Sequence, residues 1–219
     1  MSSLVLVLGN KNFSSWSMRA WLALRLAGLP FEERLIWLDE DADREQRLQH
    51  SPAGRVPVLL HDNVAIWDSL AIAEYVAELS PDRGLWPAAR VARARARALC
   101  AEMHAGFTAI RTIMPMNCRA RREPRDRGPD VAAEVARVTA LWEDTRREFG
   151  GSGPLLFGTP TLADAFFAPV ASRFRTYAVP LTGAAAAYRD AVLDLPDVCI
   201  WLEQAAAETH ELEPFASMP

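Results

Sequence analysis

The strongest constraint on this chain is one stretch near its start, Asn10 to Arg25, reading NKNFSSWSMRAWLALR and preceded by the apolar run Leu4–Leu8. That run, stopped by Gly9 and Asn10, reads as a buried strand. Beyond the turn, Trp21, Leu22, Leu24 and Leu26 recur in a helical apolar pattern. The order is strand, polar turn, helix. Ser14, Ser15 and Ser17 fall where the helix begins, among its unpaired N–H groups. Two uses of those serines are open. Capping the helix is the commoner one. The other is an anion site, because a helix N-terminus carries positive partial charge and hydroxyls there can donate. A thiolate is such an anion.

Composition narrows the class. The chain has 219 residues, 50% hydrophobic and 24% charged, enough for one or two globular domains with a real core. A net charge of −4 gives no global reason to expect nucleic acid. The N-terminal apolar run is far too short to span a bilayer and follows no basic segment, so a soluble, cytoplasmic protein without a membrane partner is expected. Cys100, Cys118 and Cys199 are odd in number and far apart, unlike a disulfide framework. His50, His61, His104 and His210 are equally scattered, so no metal site is expected.

Along the chain, Glu32 to Leu38 reads as a second strand after Gly28 and Pro30, and Asp41 to His50 as a short exposed helix. Pro57 belongs at the start of a strand through Val58, Leu59 and Leu60, because a proline inside one removes a ladder hydrogen bond. Asp62-Asn63 turns the chain into a returning strand at Val64, Ile66 and Trp67. Asp68-Ser69 then opens a helix ending near Ser80. The order β-α-β-α-β-β-α gives an α/β domain over 1–80. Pro81 to Ala89 reads as a linker, and 90–219 as an all-helical domain. Within it, one helix is expected from Arg90 to Met114, ended by Pro115, with Arg90, Arg93, Arg95 and Arg97 on a solvated face. Arg119 to Pro129 reads as a mobile loop; without interleaved aromatics it is a poor nucleic-acid binder. Further helices are expected over Asp130–Phe149, from Thr161, over Ala184–Asp194 and over Asp197–Ala207, followed by a surface tail from Glu208. Thr161 and Asp164 have the spacing of a capping box.

Three motifs in order, Ser14-Ser15-Trp16-Ser17, Gly54-Arg55-Val56-Pro57-Val58-Leu59 and Trp67-Asp68-Ser69-Leu70-Ala71-Ile72, resemble the thioredoxin-like N-terminal domain of cytosolic glutathione transferases, with a zeta-like serine pattern. The Thr161–Asp164 box is similar to the buried capping motif of the family's helical domain, so the resemblance covers essentially the whole chain. It implies glutathione as co-substrate, a small electrophile as second substrate, and a homodimer. It implies a cis bond before Pro57, with the Val56 backbone on the cysteinyl part of glutathione, Asp68 and Ser69 on the γ-glutamyl end, and Arg55 and His50 on the glycyl carboxylate. Ser14 is implied as the group that activates the thiol, with Ser15 its nearest substitute. Phe13, Met103, Phe107 and Arg111 could border the second-substrate pocket, although core packing is the simpler role for Met103 and Phe107. Where the zeta class typically reads Ser-Ser-Cys-Ser-x-Arg-Val-Arg, this chain carries Trp16 for the cysteine and Trp21 for the second arginine. That departure counts against isomerase activity and disfavours cysteine-based thiol transfer. The expected activity is conjugation of glutathione to small electrophiles. A glutathione-dependent isomerase or dehalogenase is the alternative, and a non-catalytic binding module of the same fold the other.

The chemistry is affordable. A free thiol of pKa about 8.5 is about 3% thiolate at pH 7. Lowering that pKa by two units takes about 2.7 kcal/mol. A hydroxyl hydrogen bond to the charged sulfur supplies about 1.5–3 kcal/mol, and the helix terminus about 0.3–1 more.

Overall fold

Strand Leu4–Leu8 (β1) lies inside a four-stranded sheet of a computed structural model that describes residues 3–38, 41–213 and 215. It pairs parallel with Glu32–Leu35 (β2) and antiparallel with Val58–His61 (β3), and β3 pairs antiparallel with Val64–Trp67 (β4). The sheet order is β2-β1-β3-β4. A parallel pair needs a crossover, and helix Ser15–Ala27 (α1) supplies it. Gly28, left-handed at φ 68°, ends α1 by returning its N–H to the Arg25 and Leu24 carbonyls. Helix Asp41–His50 (α2) connects β2 to β3, and helix Ser69–Leu79 (α3) follows β4. The two-residue period of β1 sends Leu4, Leu6 and Leu8 into the main core and Val7 to a smaller cluster with Ile36 and Val58.

The remaining described elements are helical: Arg90–Ala105 (α4), Thr108–Ile113 (α5), Pro129–Phe149 (α6), Leu162–Thr176 (α7), Gly183–Leu193 (α8) and Pro196–Ala207 (α9). Helix α1 packs on α3 on one side and on α7 and α9 on another, so one core runs from the sheet through the helices. Trp21, Trp142 and Trp201 are buried in it. Among the described residues, no helix is long and apolar enough to cross a membrane.

Four expectations are corrected. The second strand stops at Leu35, because its partner β1 stops at Leu8; the Ile36 amide still reaches the Leu8 carbonyl (2.8 Å), but the Leu38 amide turns to Asn10 Oδ1 (2.9 Å). The single helix Arg90–Met114 is two. Gly106 ends α4, and Phe107 is left-handed at φ 60°. The free amides of Ala109 and Ile110 then bind the Glu134 carboxylate from α6 (3.1 and 2.8 Å), which caps α5 from outside. The arginine-rich segment 119–128 is irregular but anchored: the Arg122 amide donates to the Thr176 carbonyl (2.7 Å) and Arg127 lies over the Tyr177 ring. The tail beyond Ala207 is also more than a surface extension, since Glu208 binds the turn after β1. Residues 214 and 216–219 of that tail lie outside the described residues.

Candidate functional site

The turn after β1 folds on itself, the Asn10 carbonyl accepting from the Phe13 and Ser14 amides (3.2 and 2.8 Å). Ser14 caps α1: its Oγ accepts from the Ser17 amide (3.3 Å) and donates to Ser17 Oγ (2.8 Å). Ser17 Oγ also accepts from the Gly9 amide (3.0 Å). A serine chain thus runs from the end of β1 to the start of α1. No acidic residue sits in the first turn of α1, so nothing there neutralises its positive end. Ser15 Oγ accepts from Arg173 Nη2 of α7 (3.2 Å).

Two neighbouring clefts open at this point. The larger, about 620 Å³, is lined by Phe13, Ser14 and Ser15 on one side and by Arg111, Met116 and Arg173 on the other. Arg44, Arg47 and Arg55 complete a set of five arginines, and no acidic residue lines it among the described residues. Burial pushes Arg173 down to about 10, with Arg111 beside it adding to the effect. The Met114 and Pro169 carbonyls and Ser15 hold the Arg173 guanidinium. Arg111 binds the carbonyls at the end of α4, including Gly106 (2.9 Å), and burial lowers it too.

The smaller cleft, about 280 Å³, is lined by Val56, Pro57, Asp68, Ser69, Trp67 and His104, among others. The Val56–Pro57 bond is cis, as expected, and places Val56 on the wall of both clefts. Asp68 caps α3 from a left-handed backbone (φ 75°), costly for a residue with a Cβ and held here by two contacts. Its Oδ1 accepts from the Leu70 amide (2.8 Å), and its Oδ2 lies 3.2 Å from His104 Nε2 of α4. Ser69 Oγ is buried at the helix start with no partner in the protein. Burial holds His104 below its ordinary value, opposed by Asp68.

The structure thus brings Ser14, Ser15, Phe13, Arg55, Val56, Pro57, Asp68, Ser69 and Arg111 to the clefts. It does not bring His50, Met103 or Phe107 there. His50 lies near Arg34, which together with burial lowers its pKa. Met103 is fully buried and Phe107 is 7% exposed, both in the core. Sequence reasoning missed Trp16, His104, Arg173, Arg44 and Arg47. Trp16 lines both clefts, with Arg19 and Arg111 over its ring (4.6 and 4.7 Å) and His104 edge-on at 5.1 Å. Arg173 had a partial signal: it lies beside Phe174 at the end of a helix whose middle, Ala165–Ala171, is apolar.

Comparison with known proteins agrees with this architecture. Residues 13–79 match the family described as glutathione S-transferase, N-terminal domain. A probable maleylacetoacetate isomerase of Caenorhabditis elegans is 30% identical over 110 residues, 50% of this chain and 51% of that one. The chain therefore spans about half the length of that curated relative. A glutathione transferase homologue from Burkholderia, crystallised with bound glutathione, superposes with a TM-score of 0.69 at 26% identity, covering 95% of this chain and 100% of that one. A maleylacetoacetate isomerase from Anaeromyxobacter dehalogenans, with bound dicarboxyethyl glutathione and citrate, has TM-score 0.68 at 24% identity, covering 100% and 98%. Residues 13–79 thus carry the glutathione S-transferase N-terminal domain, and the fold of the rest is that of the glutathione transferase homologue from Burkholderia.

Proposed function

We propose that this protein binds glutathione from the smaller cleft into the Arg44, Arg47 and Arg55 side of the larger one, and transfers its activated thiolate to a small electrophile held on the Arg111 and Arg173 side. The carrying observation is the serine chain. Ser17 Oγ already accepts from the Gly9 amide. If the hydroxyl pair reverses, so that Ser17 donates to Ser14, both Ser14 lone pairs are used and its proton is free for a sulfur at the mouth of α1. Serine then acts as a donor, not a base. The free Ser69 hydroxyl at the start of α3 and the Asp68 carboxylate suit the γ-glutamyl carboxylate and ammonium. Arg44, Arg47 and Arg55 face the region where the glycyl carboxylate would lie. The glutathione seen in the Burkholderia homologue supports the same reading.

One observation favours a narrower activity. Arg111 and Arg173 line the second-substrate side, so the electrophile carries a carboxylate. A glutathione-dependent isomerase, which adds and later expels the same thiolate, fits that wall and the named relatives. We also assign a homodimer, in a cytoplasmic setting, with residues 1–80 and 90–219 as its two domains. Val64 of β4, Leu79 of α3 and Val91 of α4 are exposed apolar residues that a second copy would cover. Light scattering that finds only monomer at micromolar concentration argues against the dimer.

Ultraviolet titration of bound glutathione tests the main reading. Ser14→Ala should raise the bound thiol pKa by about one to two units, the loss of about 1.5–3 kcal/mol. A larger shift in Ser15→Ala reverses the two roles. No thiolate in the parent protein refutes the reading. Turnover of an aryl halide against a maleyl or haloacid substrate separates conjugation from isomerisation and dehalogenation.

A further inference from the structure

The turn that presents Ser14 is fastened by the opposite end of the chain. Because the Asn10 carbonyl takes the Phe13 and Ser14 amides, the amides of Lys11 and Asn12 point outward. Both end on one carboxylate: Glu208 Oε1 accepts from Lys11 N (2.6 Å) and Glu208 Oε2 from Asn12 N (2.9 Å). Asn10 and Asn12 are fully buried and Lys11 is 8% exposed, so water cannot readily replace that acceptor. Three further acceptors of the turn are taken by the helical region. The Lys11 carbonyl accepts from Trp201 Nε1 (3.0 Å), and the Asn12 carbonyl and Oδ1 from the Cys118 and Arg119 amides (3.2 and 3.0 Å). The Lys11 ammonium, between the rings of Trp21 and Trp201, is answered by Glu33. Glu208 is thus left to serve the two amides. Arg119 fixes it in turn, through the Glu208 carbonyl and through Glu211 Oε1 (2.7 Å).

We propose that Glu208 is a positioning residue for thiol activation: it grips the Lys11 and Asn12 amides and so sets where Ser14 Oγ sits. The inference rests on the reading that the glutathione sulfur lies against Ser14. On the same segment His210 lies tilted against Trp37, ring centroids 4.7 Å apart, and Phe215 is on the wall of the larger cleft.

The test compares the full-length parent with Glu208→Ala and Glu208→Gln, the second keeping one acceptor oxygen. Three quantities are read: amide hydrogen exchange of residues 9–14, the pKa of the bound glutathione thiol, and the pH profile of aryl halide turnover. In Glu208→Ala, exchange at Lys11 and Asn12 should rise about tenfold or more. The thiol pKa should rise by about one unit, so turnover near pH 6.5 falls about fivefold and recovers above the raised pKa. Glu208→Gln should fall between. A lower melting temperature with the thiol pKa and pH profile unchanged overturns the proposal, because that is a structural role alone. If Glu208→Ala does not fold, Glu208→Gln alone decides, with the same readouts. If the parent binds no glutathione, the proposed function fails on its own account; hydrogen exchange then decides the grip, and unchanged protection of Lys11 and Asn12 in the folded variant overturns it.

Discussion

Replacing Asp164 should be among the most damaging single changes outside the clefts, and the structure gives its size. The carboxylate is fully buried at the start of α7. It accepts from the Thr161 amide (2.9 Å), Thr161 Oγ1 (3.0 Å), Tyr188 Oη of α8 (3.0 Å) and, at a long 3.4 Å, the Leu156 amide. Three good hydrogen bonds to a charged group are worth about 1.5–3 kcal/mol each. That gross sum is too large, since burial alone pushes the Asp164 carboxyl up despite all four donors. Removing the carboxylate relieves its desolvation but leaves buried donors unpaired, and net losses for such breaks are about 3–5 kcal/mol. An exposed capping residue would cost only about 1 kcal/mol. For a chain of this length, that predicts a melting temperature lower by about 6–20 °C in Asp164→Ala. Asp164→Asn, which keeps the shape and one acceptor, should lose less. Urea unfolding followed by tryptophan fluorescence measures the difference, with glutathione affinity in the folded fraction near normal. A loss of about 1 kcal/mol or less refutes the reasoning, and a large loss of affinity at full stability would show that the box touches the site.

Three further outcomes are expected. Asp68→Ala should weaken glutathione binding by about 1–3 kcal/mol through loss of a charged partner, measured by calorimetry; unchanged affinity removes Asp68 from the site. His104 has a folded-state pKa lowered by burial, with Asp68 opposing and Arg19 and Arg111 reinforcing the shift. Its contribution is therefore present above the unfolded value near 6.5 and lost as pH falls toward the lowered folded pKa, so the parent should lose stability relative to His104→Gln as pH falls below about 6.5, read by urea midpoints. The buried thiols should be inert: burial raises Cys100 well above its ordinary value and Cys118 to about 11, so a thiol reagent near pH 8 should modify only Cys199 in the native protein, and prompt reaction of two or three cysteines contradicts the packing.

What was legible in the sequence is what local chemistry dictates. The run Leu4–Leu8, the Asp62-Asn63 hairpin, the Asp68 cap and the Thr161–Asp164 box each carry their own signal, and each element lies where that signal put it. The break at Gly106–Phe107 was not legible, because its cause is distant in sequence: Glu134 of α6 supplies the cap that makes a second helix start there. The end of β2 was missed for the same reason, since it follows from the length of β1. Within the site, the residues next to turns and helix starts could be read. Arg173 and His104 could not be placed, because they arrive from α7 and α4 only when α1 packs on the helical region. Glu208 looked like tail chemistry until the turn it serves was folded against it.

The positive charge collected around Trp16 links stability to function. Burial lowers Arg19 and Arg173, Arg111 adds to both shifts and Arg173 to that of Arg19, and Arg19 is fully buried with none of its guanidinium nitrogens hydrogen-bonded. Such a cluster is unfavourable by itself. Two features offset it. Backbone carbonyls at the ends of helices take the Arg111 and Arg173 donors, and the Trp16 ring stands between Arg19 and Arg111 as a π-face for both. A cysteine at position 16 could not do this, so the tryptophan fits a cleft wall that keeps its arginines charged and close to the thiol site. The remaining repulsion has a natural relief. An anion in the larger cleft would interact with several of its five arginines at once, where no acidic side chain competes among the described residues. The same field favours a thiolate over a thiol at the start of α1. On the proposed function, activation of the nucleophile and selection of an anionic electrophile would draw on one set of residues, of which Trp16 contacts Arg111.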